Sequence, residues 1–265
     1  MEDVIIIKKI KFRIYSYLND FIKIESQKNL KLIDERYYIH HYRGRQTIKD
    51  RIESIGVPHP EVALILNNSR AVDFSYLVQS GDFFSIYPHL YTFKLPEEVK
   101  LLNEYSEKPK FILDVHLGRL ARYLRRFGFD TAYRNDYQDR EIVDQAVSEK
   151  RIILSRDRGL LMRKRVKWAK FIWSDDPKKQ LKEVFDRFQL AQYYQGQESR
   201  CVNCNTKLVD IDKEKIIERL EPKTKKYFDD FKYCPRCDKI YWCGSHYEKT
   251  EKMLTKLKQQ KSNTQ

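Results

Sequence analysis

The sequence has no long apolar run. Its longest early one, Val4 to Ile7, is followed at once by Lys8 and Lys9, too short for a signal core or a membrane span. A soluble, cytoplasmic protein without a membrane partner is therefore expected. Cysteine is scarce, with five in 265 residues, four of them in two Cys-x-x-Cys pairs. That usage suits metal ligation in a reducing compartment and argues against a disulfide framework. Low-complexity sequence is missing before the last dozen residues, so disorder is expected only in the basic tail, 253–265. Acidic side chains are outnumbered, 38 against 52, which leaves +14 and makes a polyanion the first partner to consider. Half of that excess lies in 151–200, where 13 basic residues face 6 acidic ones.

What is present fits two modest domains and a small appendage. The first hundred residues read as short strands around one helix. Lys9 to Leu18 alternates in part, Tyr37 to Tyr42 is aromatic-rich, Ala63 to Leu66 runs into the turn signal Asn67-Asn68, and Phe83 to Tyr87 makes a last strand. Thr47 as N-cap, Ile48, Ile52 and Ile55 on one face, and Gly56 as stop predict a short helix. This ββαββ-like order is a β-grasp pattern. The stretch GVPHPEVALILNNSRAVDFSYLVQSGDFFSIYP resembles the ubiquitin-like, sulfur-carrier-like domain found before some PIN-related nucleases. Sulfur carriers end in Gly-Gly, whereas here the last strand continues into Tyr87-Pro88-His89-Leu90, so an interaction or structural role is expected.

After a charged linker, Pro96 to Pro109, strands and helices alternate, which predicts a parallel α/β sheet. Expected strands are Phe111–Leu113, Thr131–Tyr133, Arg151–Ser155 and Phe171–Trp173. The expected helices carry Leu117, Leu120, Leu124 and Phe127 before Gly128; Ile142, Val143, Ala146 and Val147 after Asp139; a turn at Leu160–Lys164; and Leu181–Phe188. On this reading the acids fall in register with the strands. Asp114 follows the first, Asp139 caps the second helix, Asp157 lies two residues past the third strand, and Asp175 with Asp176 follows the fourth. Ligands of open parallel sheets bind at that edge, and clustered acids favour hard cations such as Mg²⁺ or Mn²⁺ that activate water against a phosphodiester. Taken singly, Asp139 and Asp175 also read as helix caps and Asp157 as a loop carboxylate.

The stretch FILDVHLGRLARYLRRFGFDTAYRNDYQDREIVDQAVSEKRIILSRDRGLLMRKR resembles the Mut-seven C-terminal RNase family, a PIN-like nuclease branch that carries a zinc ribbon. The resemblance spans Lys110 to Lys252. It rests on the acid before Leu-Gly-Arg-Leu-Ala-Arg, the Ser-Arg-Asp-Arg-Gly-Leu turn and the late Tyr-Trp-x-Gly-Ser-His. It implies catalytic, metal-holding acids at Asp114, Asp139 and Asp157, with Glu141 and Asp175 as further members. Val115 and His116 depart from the family pattern after the first acid.

Beside Asp157 lie Arg156, Arg158, Arg163, Lys164, Arg165, Lys167 and Lys170, interleaved with Trp168 and Trp173. Basic groups and aromatics so mixed suit single-stranded RNA, and Arg119, Arg122, Arg125 and Arg126 are expected to extend that surface. Cys201, Cys204, Cys234 and Cys237 predict a closed structural Zn²⁺ site, an iron site with four thiolates being the alternative. Cys243 is left as a free thiol, and His246 is read as a structural histidine before a ligand.

The expected architecture is thus an α+β ubiquitin-like β-grasp domain at 1–95, an α/β PIN-like ribonuclease domain at 108–195 and a zinc ribbon at 196–252. The expected activity is metal-dependent RNA hydrolysis, with RNA as partner and a protein partner possible through the β-grasp domain. The alternatives are a non-catalytic RNA- or ribosome-binding protein and a toxin-like nuclease restrained by a partner.

Overall fold

The computed structural model describes residues 7–33, 37–89, 101–105, 107–194 and 200–242. In chain order the first part contains β1 (Lys8–Ile14), β2 (Leu30–Ile33), β3 (Tyr37–Tyr42), α1 (Ile48–Ser54), β4 (Val62–Asn67), β5 (Arg70–Val72) and β6 (Phe83–Pro88). Then come β7 (Phe111–Leu113), α2 (Gly118–Arg126), β8 (Thr131–Ala132), α3 (Asp139–Ser148), β9 (Ile152–Ser155), α4 (Arg158–Leu161), β10 (Ala169–Phe171) and α5 (Pro177–Arg187). The last part holds β11 (Val209–Ile211), α6 (Pro222–Tyr227), β12 (Phe231–Cys234) and β13 (Lys239–Trp242). The chain forms two compact units, Met1–Glu107 with Asp139–Phe171, and Lys108–Gln138 with Ile172–Gln265. Among the described residues no helix is long and apolar enough to cross a membrane.

In the first unit a six-stranded sheet runs β2-β3-β1-β6-β4-β5, with β1 and β6 parallel at its centre and antiparallel strands outside. Alternate residues Ile10, Phe12 and Ile14 of β1 and Phe84 and Ile86 of β6 are buried, as the period of two requires. Helix α1 lays Ile48, Ile52 and Ile55 on that face, opened by a capping box in which Thr47 and Asp50 satisfy each other's backbone N–H groups. Gly56 ends it at φ +98°, where a Cβ would lie 2.9 Å from the Phe21 carbonyl oxygen. This is a ubiquitin-like β-grasp. Three details differ from expectation. The first strand stops at Ile14 because Ser16 turns to positive φ, and Leu18 and Phe21, three apart, reach the core from a 3-10 turn over Ser16–Phe21. The turn at Asn67-Asn68 is a hairpin into an unforeseen β5, with Asn68 and Ser69 at positive φ. The edge strand β2 was likewise unforeseen.

Asp139–Phe171 packs into the same unit. Strands β9 and β10 pair in parallel, Ile153 beside Ala169, and α3 buries Ile142, Val143 and Ala146. Val147, expected inside, is exposed, being a full position past the stripe. The fourth strand begins at Ala169 rather than Phe171. Three links join this segment to the β-grasp. Glu61, fully buried, accepts hydrogen bonds from the Phe171 N–H (2.6 Å) and the Tyr17 hydroxyl (3.0 Å) and pairs with the Lys170 ammonium at 3.4 Å. Arg158 donates to the Phe21 carbonyl at 2.7 Å, its guanidinium lying over the Phe21 and Phe171 rings. His59 bridges Glu53 and the Val166 carbonyl, each at 2.6 Å. Lys170 is therefore an interior cation and no part of an outer basic face.

In the second unit β7 and β8 pair in parallel, Phe111 beside Thr131. Helix α2 buries Leu120, Ala121 and Leu124 against α5, which buries Leu181, Val184 and Phe185; Phe127 meets Phe185 edge to face. A three-stranded antiparallel sheet, β11-β12-β13, completes the unit.

Candidate functional site

The cysteines come from two matching knuckles. In each, the residue after the second cysteine returns its N–H to the first cysteine's carbonyl at 2.9 Å, Asn205 to Cys201 and Asp238 to Cys234. Both take positive φ, 67° and 53°, a conformation Asn and Asp tolerate better than most residues. Strand β12 leads straight into the second knuckle, and the four sulfur atoms lie within 4.8 Å of one another, Cys204 to Cys234 at 3.5 Å. Tetrahedral Zn–S bonds of about 2.3 Å require sulfurs about 3.8 Å apart, so the donor set fits. Among the described residues this is the only group of three or more His, Cys, Asp or Glu positioned to hold a metal.

The thiols are not equivalent. Burial raises the Cys204 thiol, but hydrogen bonds from Thr206 and from the neighbouring cysteines outweigh it and bring it down to about 6. Cys237 is pushed up to about 12, first by its hydrogen bond to Cys204 and then by burial. A bound cation would displace the remaining protons. Sequence reasoning missed two outer partners. The Tyr241 hydroxyl lies 3.1 Å from Cys201 Sγ. Arg125, placed beforehand on an outer basic face, is 4% exposed and donates to the carbonyls of Thr131, Val202 and Asn203, each at 2.9 Å. Its only sequence signal is position, one turn after the buried Ala121. Cys243, His246 and the Gly-Ser-His end of the late motif lie outside the described residues.

The acids are delivered by separate elements. Asp114 directly follows β7, is 6% exposed, and accepts from the His116 N–H at 3.1 Å. Asp139 is the first helical residue of α3 rather than its cap, and meets the Arg163 guanidinium at 2.8 Å. Glu141 is exposed in the same first turn. Asp157, two residues past β9, caps α4 by accepting from the Gly159 N–H at 2.7 Å, while its own N–H donates to Ser155 Oγ. Asp175 is exposed beside Asp176, the cap of α5. Asp139, Glu141 and Asp157 belong to the first unit, Asp114 and Asp175 to the second. The three acids of the first unit do not draw together into a set like that of the cysteines.

Several of the basic side chains are already engaged. Besides Arg158, Arg163 holds Asp139, Arg165 holds Asp144, and Lys167 lies over the Trp168 ring at 4.6 Å. Arg119, Arg122, Arg126 and Lys164 are exposed, and Arg156 is half-buried.

A ubiquitin-like β-grasp, parallel α/β elements and a four-cysteine cluster able to hold a metal together define the architecture. Comparison with family models makes the assignment specific. The Mut7-C RNAse domain model matches residues 109–254, more than half of the chain, and the Mut7-C ubiquitin model matches 7–94. The chain belongs to the Mut7-C RNAse domain family, which supports a nuclease or RNA-related function. No curated protein and no solved structure matches it.

Proposed function

We propose that this protein is a metal-dependent ribonuclease whose cation is held by Asp114, Asp139 and Asp157, assisted by Glu141 and Asp175. The observation that supports this most is positional. Asp114 and Asp157 each stand within two residues of the C-terminal end of a parallel strand, where α/β folds place their ligands, in a chain of a ribonuclease family. Carboxylate oxygens suit Mg²⁺ or Mn²⁺. When bound, the ion supplies an activated water and offsets charge on the leaving oxygen. The chain's own part is to orient the donors. The Gly159 N–H fixes one Asp157 oxygen and the His116 N–H one Asp114 oxygen.

In this reading 1–95 is the β-grasp, 108–195 the catalytic domain and 196–252 a ribbon around structural zinc, in a cytoplasmic protein whose thiols stay reduced. Exposed Arg119, Arg122 and Lys164, with Arg156, Arg163, Arg165 and Lys167, form the RNA-facing set, while Arg158 stays engaged with the Phe21 carbonyl, and the β-grasp offers a protein partner its outer face. Zinc-loaded protein should cleave single-stranded RNA with Mn²⁺, and Asp157→Asn should lower the rate at least ~100-fold. Unchanged cleavage by that variant overturns the mechanism. The Asp139–Arg163 pair favours a second reading, a non-catalytic RNA binder, which binding without cleavage in every divalent ion would establish.

A further inference from the structure

Period-two alternation gives the six-stranded sheet of the first unit two faces, and α1 covers only one of them. Cross-strand pairing fixes the composition of the other. Lys31 of β2 stands beside Ile39 of β3, Ile39 beside Lys11 of β1, and Lys11 beside Phe83 of β6. Paired residues share a face. This row therefore points away from the core, with Lys9 and Arg13 on the same side of β1 and Tyr37 on that side of β3. Lys9, Lys11 and Lys31 are exposed, while Arg13, Tyr37, Ile39 and Phe83 are half-buried.

The charge on this face is of one sign. Its four strands read KKIKFRI, LKLI, YYIHHY and FFSIYP, without an Asp or Glu. Asp82, just before β6, gives its carboxylate to the Asn67 amide at 3.2 Å and the Gln79 N–H at 2.8 Å. Among the described residues no carboxylate pairs with Lys9, Lys11, Arg13 or Lys31. The rings between these cations are committed to one another. Tyr15 stacks on Tyr87 at 4.2 Å, Tyr37 meets Phe83 at 5.8 Å, and the Arg13 guanidinium lies over Tyr15 at 4.9 Å and Tyr37 at 5.7 Å. An unpaired base needs a bare ring face to stack on. Rings already covered make an apolar centre instead, and the lysines around it a rim of the kind protein interfaces use, where complementary charge selects the partner.

We propose that this face docks an extended acidic segment of a protein partner, its carboxylates meeting Lys9, Lys11 and Lys31 and one apolar side chain resting on Tyr37 and Ile39. Side chains on one side of an extended chain recur about every 7 Å, which is also the interval from Lys9 to Lys11 along β1, so carboxylates at alternate positions meet them in register. The inference rests on the reading of the β-grasp as the partner-binding domain and gives that partner its chemistry. It does not depend on which acids catalyse.

The test titrates zinc-loaded full-length protein with a fluorescent peptide of alternating glutamate and leucine and follows the amide NMR shifts. Binding should weaken with salt, move the amides of β1, β3 and β6, and fall about fivefold in Lys11→Gln/Lys31→Gln, which removes two exposed ion pairs. Lys178→Gln/Lys179→Gln, an exposed pair on α5 that removes the same charge, should change it clearly less. Equal effects of the two pairs overturn the proposal, as does an absence of binding. A single-stranded RNA titrated in parallel supplies another way to fail: if the face pair weakens RNA binding and leaves the peptide unmoved, the surface serves nucleic acid. A peptide of alternating lysine and leucine separates this inference from the reading beneath it. If that peptide shifts the same amides and the acidic one does not, the β-grasp keeps its partner face and the acidic partner is wrong. If neither binds, the partner-binding reading falls as well. Should thermal melting of the double variant change, Lys9→Gln against Lys178→Gln repeats the comparison.

Discussion

The cysteine cluster and the carboxylates are both candidate metal donors, and they are assembled in opposite ways. Each pair of thiols is fixed by a knuckle five residues long, so only the β11-β12-β13 sheet is needed to bring the pairs together. Each carboxylate comes from its own strand end or helix start and already has a partner that gives it a place in the fold: His116 N–H, Arg163 or Gly159 N–H. Donors built from local motifs converge whatever else the chain does. Donors spread over many elements hold only as well as the long-range packing between them.

That contrast breaks most visibly at the ribbon. Removing the metal, or Cys234→Ser, should unfold β11, β12 and β13 while the β-grasp stays folded, since thiol–zinc sites contribute on the order of 10 kcal/mol to such small units. Metal content by mass spectrometry with amide NMR checks it; a ribbon that stays ordered without metal would refute it.

Next in size is the buried link on the distributed side. Lys170→Met strips Glu61 of its ammonium inside the first unit and should cost about 3–5 kcal/mol. The double change Glu61→Gln/Lys170→Met should recover part of the loss, since the Gln carbonyl can still accept from the Phe171 N–H. Equal melting of the single and double variants would show that the stranded Glu61 carboxylate costs nothing, and a single variant that melts like the wild type would show that the pair contributes nothing.

Acid should act on the β-grasp through His40. Burial first, then Arg51 and His41, depress His40 from 6.5 to about 4, and among the described residues its Nδ1 has no hydrogen-bond partner. A folded-state value below the unfolded one means that the neutral ring's stability is present above about 6.5 and lost as pH falls toward 4, about 3 kcal/mol in all. Chemical denaturation of wild type and His40→Gln at several pH values measures it. The variant should lack that slope.

Local features were legible before any coordinates. Thr47 caps α1, β7 spans the expected Phe111–Leu113, Asp139 opens α3, and the cysteine pairs converge. Each is determined within a few residues, by a cap, a short apolar run or a knuckle. The two misread cations turn instead on what a residue meets far along the chain. Arg125 and Lys170 have the sequence look of surface cations, and only partners at Val202, Asn203 and Glu61 make them interior ones. Leu18 reads as a strand position because the alternation from Lys9 conceals the backbone reversal at Ser16. Whether Asp114, Asp139 and Asp157 serve one ion is a question of the same long-range kind, which is why motif spacing suggested it without deciding it.

The smallest expected effect separates the two kinds of role within one residue. Asp157 has a local task, capping α4 through Gly159, and on the proposed function a distributed one, donating to a cation. Asn caps about as well as Asp, whereas Ala does not, at a typical cost of about 1 kcal/mol. Asp157→Asn should therefore melt like the wild type and Asp157→Ala about 1 kcal/mol lower, while both lose cleavage to the same extent. If cleavage instead tracks the cap, with Asn active and Ala impaired, the side chain matters only for holding the Ser-Arg-Asp turn, and the carboxylate has no part in the chemistry.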